Sequence, residues 1–131
     1  MEGLTARIVA HPGPRPSISL GFELENTGER SWSGTVFEPV IPWDLRAYVD
    51  GEPVRVRQPA LDIGVRPRRI RLAPGERTEL PSPIVLVFEE EPDSARTWSL
   101  ATPPPDAVEL EATLTISGEQ VDLPRTTVHL P

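Results

Sequence analysis

Apolar and polar residues alternate along most of this chain with a period of two. Ile18, Leu20, Phe22 and Leu24 share one parity, with Ser19, Glu23 and Glu25 on the other. In an extended strand successive side chains point to opposite faces, so this run predicts a strand with one buried face. Leu4, Ala6, Ile8 and Ala10 predict a first strand in the same way, and Leu45, Ala47 and Val49 a later one. Val108, Leu110, Ala112, Leu114 and Ile116 predict the longest strand. Ile84 to Phe88 is apolar at every position, the mark of a strand covered on both faces. Val121 and Leu123 have one parity, Val128 and Leu130 the other, and this slip around Pro124 predicts a bulge or kink. The expected core is therefore Ile18, Leu20, Phe22, Leu24, Leu45, Ala47, Val49, Leu86, Val108, Leu110, Leu114 and Ile116.

Turn signatures separate these runs: Asn26-Thr27-Gly28, Asp50-Gly51-Glu52-Pro53 and Ala73-Pro74-Gly75-Glu76. Asp-Gly suits the positive φ angles of a two-residue hairpin turn and predicts a hairpin over residues 43–58. Asn-x-Gly is expected to supply residues tolerant of positive φ. Pro74-Gly75 is expected to turn the chain so that residues 77–80 run back. The 17 prolines cluster between the runs, where their missing N–H costs no ladder bond, and they exclude long helices. Together these features predict a single all-β domain over residues 1–131, an antiparallel sandwich of about eight strands.

An alternating strand ending in Asn-x-Gly, then Asp-Gly-x-Pro-Val, then Leu-x-Pro-Gly-Glu ahead of further strands, resembles the order in bacterial immunoglobulin-like domains. Here the residues are Asn26 to Gly28, Asp50 to Val54 and Leu72 to Glu76. The pattern is similar to the intracellular proteinase inhibitor family and to adhesion-type modules. It implies an immunoglobulin-like β-sandwich. The Gly-x-Tyr that commonly opens the penultimate strand of such domains is replaced here by Asp106-Ala107-Val108-Glu109, and the resemblance carries over no inhibitory residue.

The charge and the scarcity of reactive side chains narrow the function classes. The formal net charge is −7, and all thirteen basic residues are arginine. An acidic chain is repelled by nucleic-acid phosphates and anionic membranes, so no nucleic acid is expected as a partner. No apolar run is long enough for a membrane span, and no membrane insertion is expected. Cysteine is absent, which excludes disulfides and thiolate chemistry. With no signal-peptide pattern in the chain, the expectation is a cytoplasmic protein. His11 and His129 stand at opposite ends of the sequence; first and last strands can lie close, but no short histidine pair marks a metal site. No nucleophile elbow or phosphate loop occurs. The acidic run Glu89, Glu90, Glu91 and Asp93 lacks calcium-loop spacing and reads as a solvated turn. The expectation is no cofactor, no metal and no enzymatic activity.

Contact residues are easier to nominate. Arg55 and Arg57 alternate with Val54 and Val56, and Arg69 and Arg71 with Ile70 and Leu72. If the two segments are neighbours, these four arginines form one face of a sheet, which either pairs with Glu109 and Glu111 or receives an acidic partner. Trp32 and Trp98 sit in polar, turn-like contexts and read either as core plugs or as contact residues, since tryptophan and arginine are enriched at interface hot spots. Trp43, just ahead of a strand, is expected in the core. The candidate partner-binding residues are thus Arg55, Arg57, Arg69, Arg71, Trp32 and Trp98. The expected function is non-catalytic binding of a protein partner or self-assembly. The alternative is a proteinase-inhibitor-like regulator, and less favoured still is an enzyme.

Overall fold

The computed structural model describes residues 3–12, 17–60, 63–89 and 97–130. They form strands and turns, with no helix among the described residues. The first strand, β1 (Leu4–Pro12), pairs antiparallel with β2 (Ser17–Asn26) over its full length. On its other side β2 meets two segments in succession: β8 (Arg77–Leu80) opposite its second half and β9 (Val85–Phe88) opposite its start. Parallel to β9 lies β10 (Trp98–Leu100), and beyond it β6 (Val56–Arg57). A second sheet runs β14 (Thr126–His129), β11 (Ala107–Glu111), β4 (Arg46–Val49), β5 (Glu52–Val54). Two ribbons complete the fold: β12 (Thr113–Ile116) with β13 (Glu119–Asp122), and β3 (Trp32–Glu38) with β7 (Arg66–Leu72).

The expected count of about eight strands is corrected to fourteen among the described residues. Part of the excess comes from interruption. The expected long strand over residues 108–116 breaks at Ala112, yet the carbonyl of Ala112 still accepts the N–H of Leu123 at 2.9 Å. Thus β11–β12 and β13–β14 are one ribbon with a defect at Leu123, Pro124 and Arg125, where the parity slip predicted one. Proline there has no N–H for the ladder. The β8 and β9 strands are likewise divided by Pro81, Ser82 and Pro83, while Leu20 N–H bridges the gap to the carbonyl of Ile84 at 3.0 Å. The pairing is not wholly antiparallel either, because β9 and β10 run parallel.

Two turns behave differently from expectation. The Asp50-Gly51 hairpin forms, with φ of 51° and 79° as a two-residue turn of this type requires. Its second arm leaves the sheet at Arg55: Val54 pairs with Ala47, but Val56 pairs with Leu100. Likewise Ala73 to Glu76 is a tight turn, with Gly75 at φ 81° and the N–H of Glu76 on the carbonyl of Ala73 at 2.9 Å. It does not return the chain along β7; it carries it across to β2. Sequence alternation shows that both flanks are strands. It does not say which neighbour each will find.

Side chains from all the sheets meet in one core. Phe22, Leu24, Leu80, Ile84, Leu86, Leu100, Leu110 and Ile116 are fully buried. Of the twelve residues expected inside, eleven are buried and Val49 is half-buried, packed against the rest. The core placement of Trp43 and the contact reading of Trp98 are corrected. Trp98, one of the candidate contact residues, is 2% exposed, whereas Trp43, expected in the core, is 52% exposed. Trp43 sits in the turn before β4, where strand parity no longer determines orientation. Trp98 opens a three-residue strand whose residues are all buried, so no alternation betrays it. Trp32 is half-buried; its indole lies along β3 over Gly34, where any Cβ would collide with it. The Asn26-Thr27-Gly28 segment needs no positive φ: the side-chain oxygen of Asn26 accepts the N–H of Gly28 at 2.9 Å, closing an Asx turn.

Candidate functional site

An open groove of about 620 Å³ lies where the end of β3, the loop leading to β4, and the β12–β13 ribbon converge. Val36, Val40, Leu80 and Leu114 form its buried floor. Phe37, Trp43 and Val65 form its walls, and these are the exposed large hydrophobic residues among those described, at 50%, 52% and 46%. Their exposure follows from local geometry. Val36 and Phe37 are consecutive on β3, so burial of one turns the other outward. The indole of Trp43 packs against that of Trp98 with ring centroids 6.3 Å apart, and the backbone carbonyl of Trp43 accepts a hydrogen bond from Gln58 Nε2. The loop is anchored by the N–H of Val40 on the carbonyl of Pro81 at 2.9 Å, and by Asp44 Oδ1, which accepts the N–H of Thr113 at 3.1 Å.

The β3–β7 ribbon extends from this groove. Its register pairs Phe37 with Pro67, Thr35 with Arg69 and Ser33 with Arg71. Arg69 and Arg71 are exposed on the face opposite Ile70 and Leu72, which enter the core. Arg68 pairs with Glu38, Nη1 to Oε1 at 2.5 Å. Arg66, Arg69 and Arg71 have neither an ion pair nor a side-chain hydrogen bond among the described residues.

The four expected arginines are not brought together. Arg55 and Arg57 belong to the β10 edge of the large sheet, through the bond from Ala101 N–H to the Arg55 carbonyl at 3.1 Å and the pairing of Arg57 with Ser99. Arg57 also reaches the Glu89 carbonyl, at 3.5 Å. Arg69 and Arg71 lie on the separate β3–β7 ribbon. The shared face is therefore corrected to two separate pairs. Glu109 and Glu111 do take an arginine, but it is Arg125, at 3.0 and 3.1 Å. Arg125 also stacks over Tyr48 at 4.1 Å from the ring centroid, and Arg46 approaches Glu111 at 3.9 Å. The Glu111 carboxyl is held below its usual range, first by the Arg125 hydrogen bond and then by that of Tyr48. Arg125 is held above its usual value, first by Glu111. Arg125 escaped sequence analysis because it stands in the strand interruption, outside any alternating run.

His11 and His129 do line one small cavity, of about 250 Å³, with Ile18, Val128 and Leu130. His11 Nε2 lies 2.6 Å from Glu79 Oε1. Gly21 makes this possible, since a Cβ there would collide with the Glu79 carboxylate. Among the described residues no three His, Asp or Glu side chains group as a metal site would require. Glu90, Glu91 and Asp93 of the acidic run lie outside the described residues. Compared with known proteins, the chain matches no family model, no curated protein and no solved structure.

Proposed function

We propose that this protein is a non-catalytic recognition module whose apolar groove receives a protein partner. The observation carrying this reading is the convergence of Phe37, Trp43 and Val65 on one open groove. Single exposed apolar residues are ordinary on a protein surface; a contiguous patch rimmed by polar groups marks an interaction site. Tryptophan supplies large contact area at low entropic cost and recurs at binding hot spots. Among the described residues the lining holds one carboxylate, Asp44, beside the neutral Thr113, Thr115 and Gln120, and Asp44 already accepts a backbone hydrogen bond. That is poor provision for acid–base chemistry, which needs several polar groups aimed at one point. The immunoglobulin-like reading of the layers accords with this role, because such sandwiches commonly present loop and edge surfaces to other proteins. A chain with no cysteine suits the reducing cytoplasm.

The test is affinity capture from the source cells with the whole protein as bait, run beside Trp43→Ala. Trp43 packs on the buried Trp98, so the urea midpoint of the variant is measured beside the parent's and capture is run where both are folded. A stoichiometric partner held by the parent and lost with Trp43→Ala is the expected result. Equal recovery with both baits overturns the groove as the binding site. A substrate turned over in an activity screen and lost on Asp44→Ala overturns the non-catalytic reading.

A further inference from the structure

We infer that the partner segment is an acidic, extended peptide that adds as a strand to the open edge of β7, with its carboxylates over Arg69 and Arg71 and an apolar anchor in the adjoining groove. This rests on the recognition role proposed above and supplies the chemistry of the partner.

The backbone accounting points there. On β3, both polar backbone atoms of Thr35 turn away from β7: its N–H donates to Ser117 Oγ at 3.0 Å, and its carbonyl accepts the Ser117 N–H at 2.8 Å. In an antiparallel ladder the residue directly opposite a non-hydrogen-bonded position also turns its N–H and C=O outward. Arg69 is opposite Thr35. By alternation Pro67 and Arg71 share its orientation. Pro67 fits that assignment, because a strand proline is tolerated where its missing N–H faces away from the ladder. The N–H groups of Arg69 and Arg71, with the carbonyls of Pro67, Arg69 and Arg71, thus face an edge that pairs with no strand among the described residues. Such an edge is a template for strand addition, with main-chain bonds giving affinity and alternate side chains giving specificity.

Charge selects the occupant. Acidic residues outnumber basic ones, 20 to 13, yet β7 concentrates Arg66, Arg68, Arg69 and Arg71, and only Arg68 has an acidic partner among the described residues. A second copy of β7 would set arginine against arginine and is disfavoured. A chain bearing Glu or Asp at alternate positions would meet both guanidinium groups that rise from the outer face. The same face ends in Phe37 and Pro67, with Val65 just beyond, so an anchor at one end of the peptide reaches the groove.

The test uses a labelled synthetic peptide of alternating glutamate and valine with a terminal leucine, titrated by fluorescence anisotropy. Binding should weaken by about tenfold or more in Arg69→Glu/Arg71→Glu, with the urea midpoint of the variant measured alongside to show that it is folded. Alternate N-methylation of the peptide, which preserves charge but blocks the ladder, should weaken it comparably. The Arg69 and Arg71 amides should become protected from hydrogen exchange when the peptide binds. Equal affinity for the N-methylated peptide, unprotected amides, or a single-stranded oligonucleotide that binds more tightly than the peptide would each overturn strand addition. Failure here with retention of a captured partner that Trp43→Ala loses would leave the groove reading standing and reject only the β7 edge.

Discussion

Asn26 ties together two of the turns that are visible as separate signatures in the sequence. It is 1% exposed, and every polar group it owns is spoken for. Its side-chain nitrogen donates to the carbonyls of Arg30 at 2.8 Å and Leu72 at 3.0 Å, and its side-chain oxygen accepts from Gly28. Its backbone N–H donates to the Glu76 carbonyl at 2.9 Å, and its carbonyl accepts from Gly75 at 2.8 Å. The end of β2 is thereby fastened to the corner where the chain leaves β7 for β8. Asn26→Ala strands the partners of the amide in a buried place and should cost about 2–3 kcal/mol, read as a lower urea midpoint. Asn26→Asp should not rescue it, since a carboxylate accepts but cannot donate to two carbonyls. A midpoint unmoved by both changes would show that the backbone bonds alone hold the corner.

At the scale of elements, the most legible features were those with local causes. Ile18 to Leu24 alternate, so their parity follows from the pleat alone, and Asp50-Gly51 forms its hairpin because Asp tolerates and Gly freely adopts the positive φ that the turn requires. Partner choice is not local. Arg55 and Arg57 alternate as cleanly as Arg69 and Arg71, yet the first pair follows β6 to β10 while the second follows β7 to β3. The groove was largely illegible because it is assembled from a strand end, a loop and a distant ribbon, and because Trp43 owes its exposure to a turn. The acidic patch on β11 was legible, but its counter-ion was not. That cluster makes a prediction about pH. The folded Glu111 carboxyl is lowered by Arg125, so the stability it contributes is complete above the ordinary carboxylate value and is lost as pH falls through the lowered folded value. Urea midpoints measured from neutral to acid pH should fall less steeply for Arg125→Gln than for the parent. Parallel acid limbs would mean that solvent screens the cluster completely.

Across the described residues, apolar side chains from every sheet share one core, and two of the openings to solvent differ in character. One is the groove walled by Phe37, Trp43 and Val65; the other is the small cavity beside His11 and His129. The same long-range connections that leave the groove open also govern how quickly the chain can find this arrangement. The Asp50-Gly51 and Ser117-Gly118 hairpins can close early, because their ends are near in sequence. The pairings of Gly34 with Ile70, Phe22 with Leu80 and Ala47 with Leu110 join residues far apart in sequence. Each such contact requires a long stretch of chain to lose its freedom before any ladder bond compensates. Refolding in stopped-flow experiments should therefore take roughly milliseconds to seconds, with the microsecond regime of helical bundles closed to it. A microsecond phase carrying the full amplitude would contradict that picture. The crossing after Pro74-Gly75, which moves the chain from the β3 ribbon to β2, is thus a kinetic toll built into the topology.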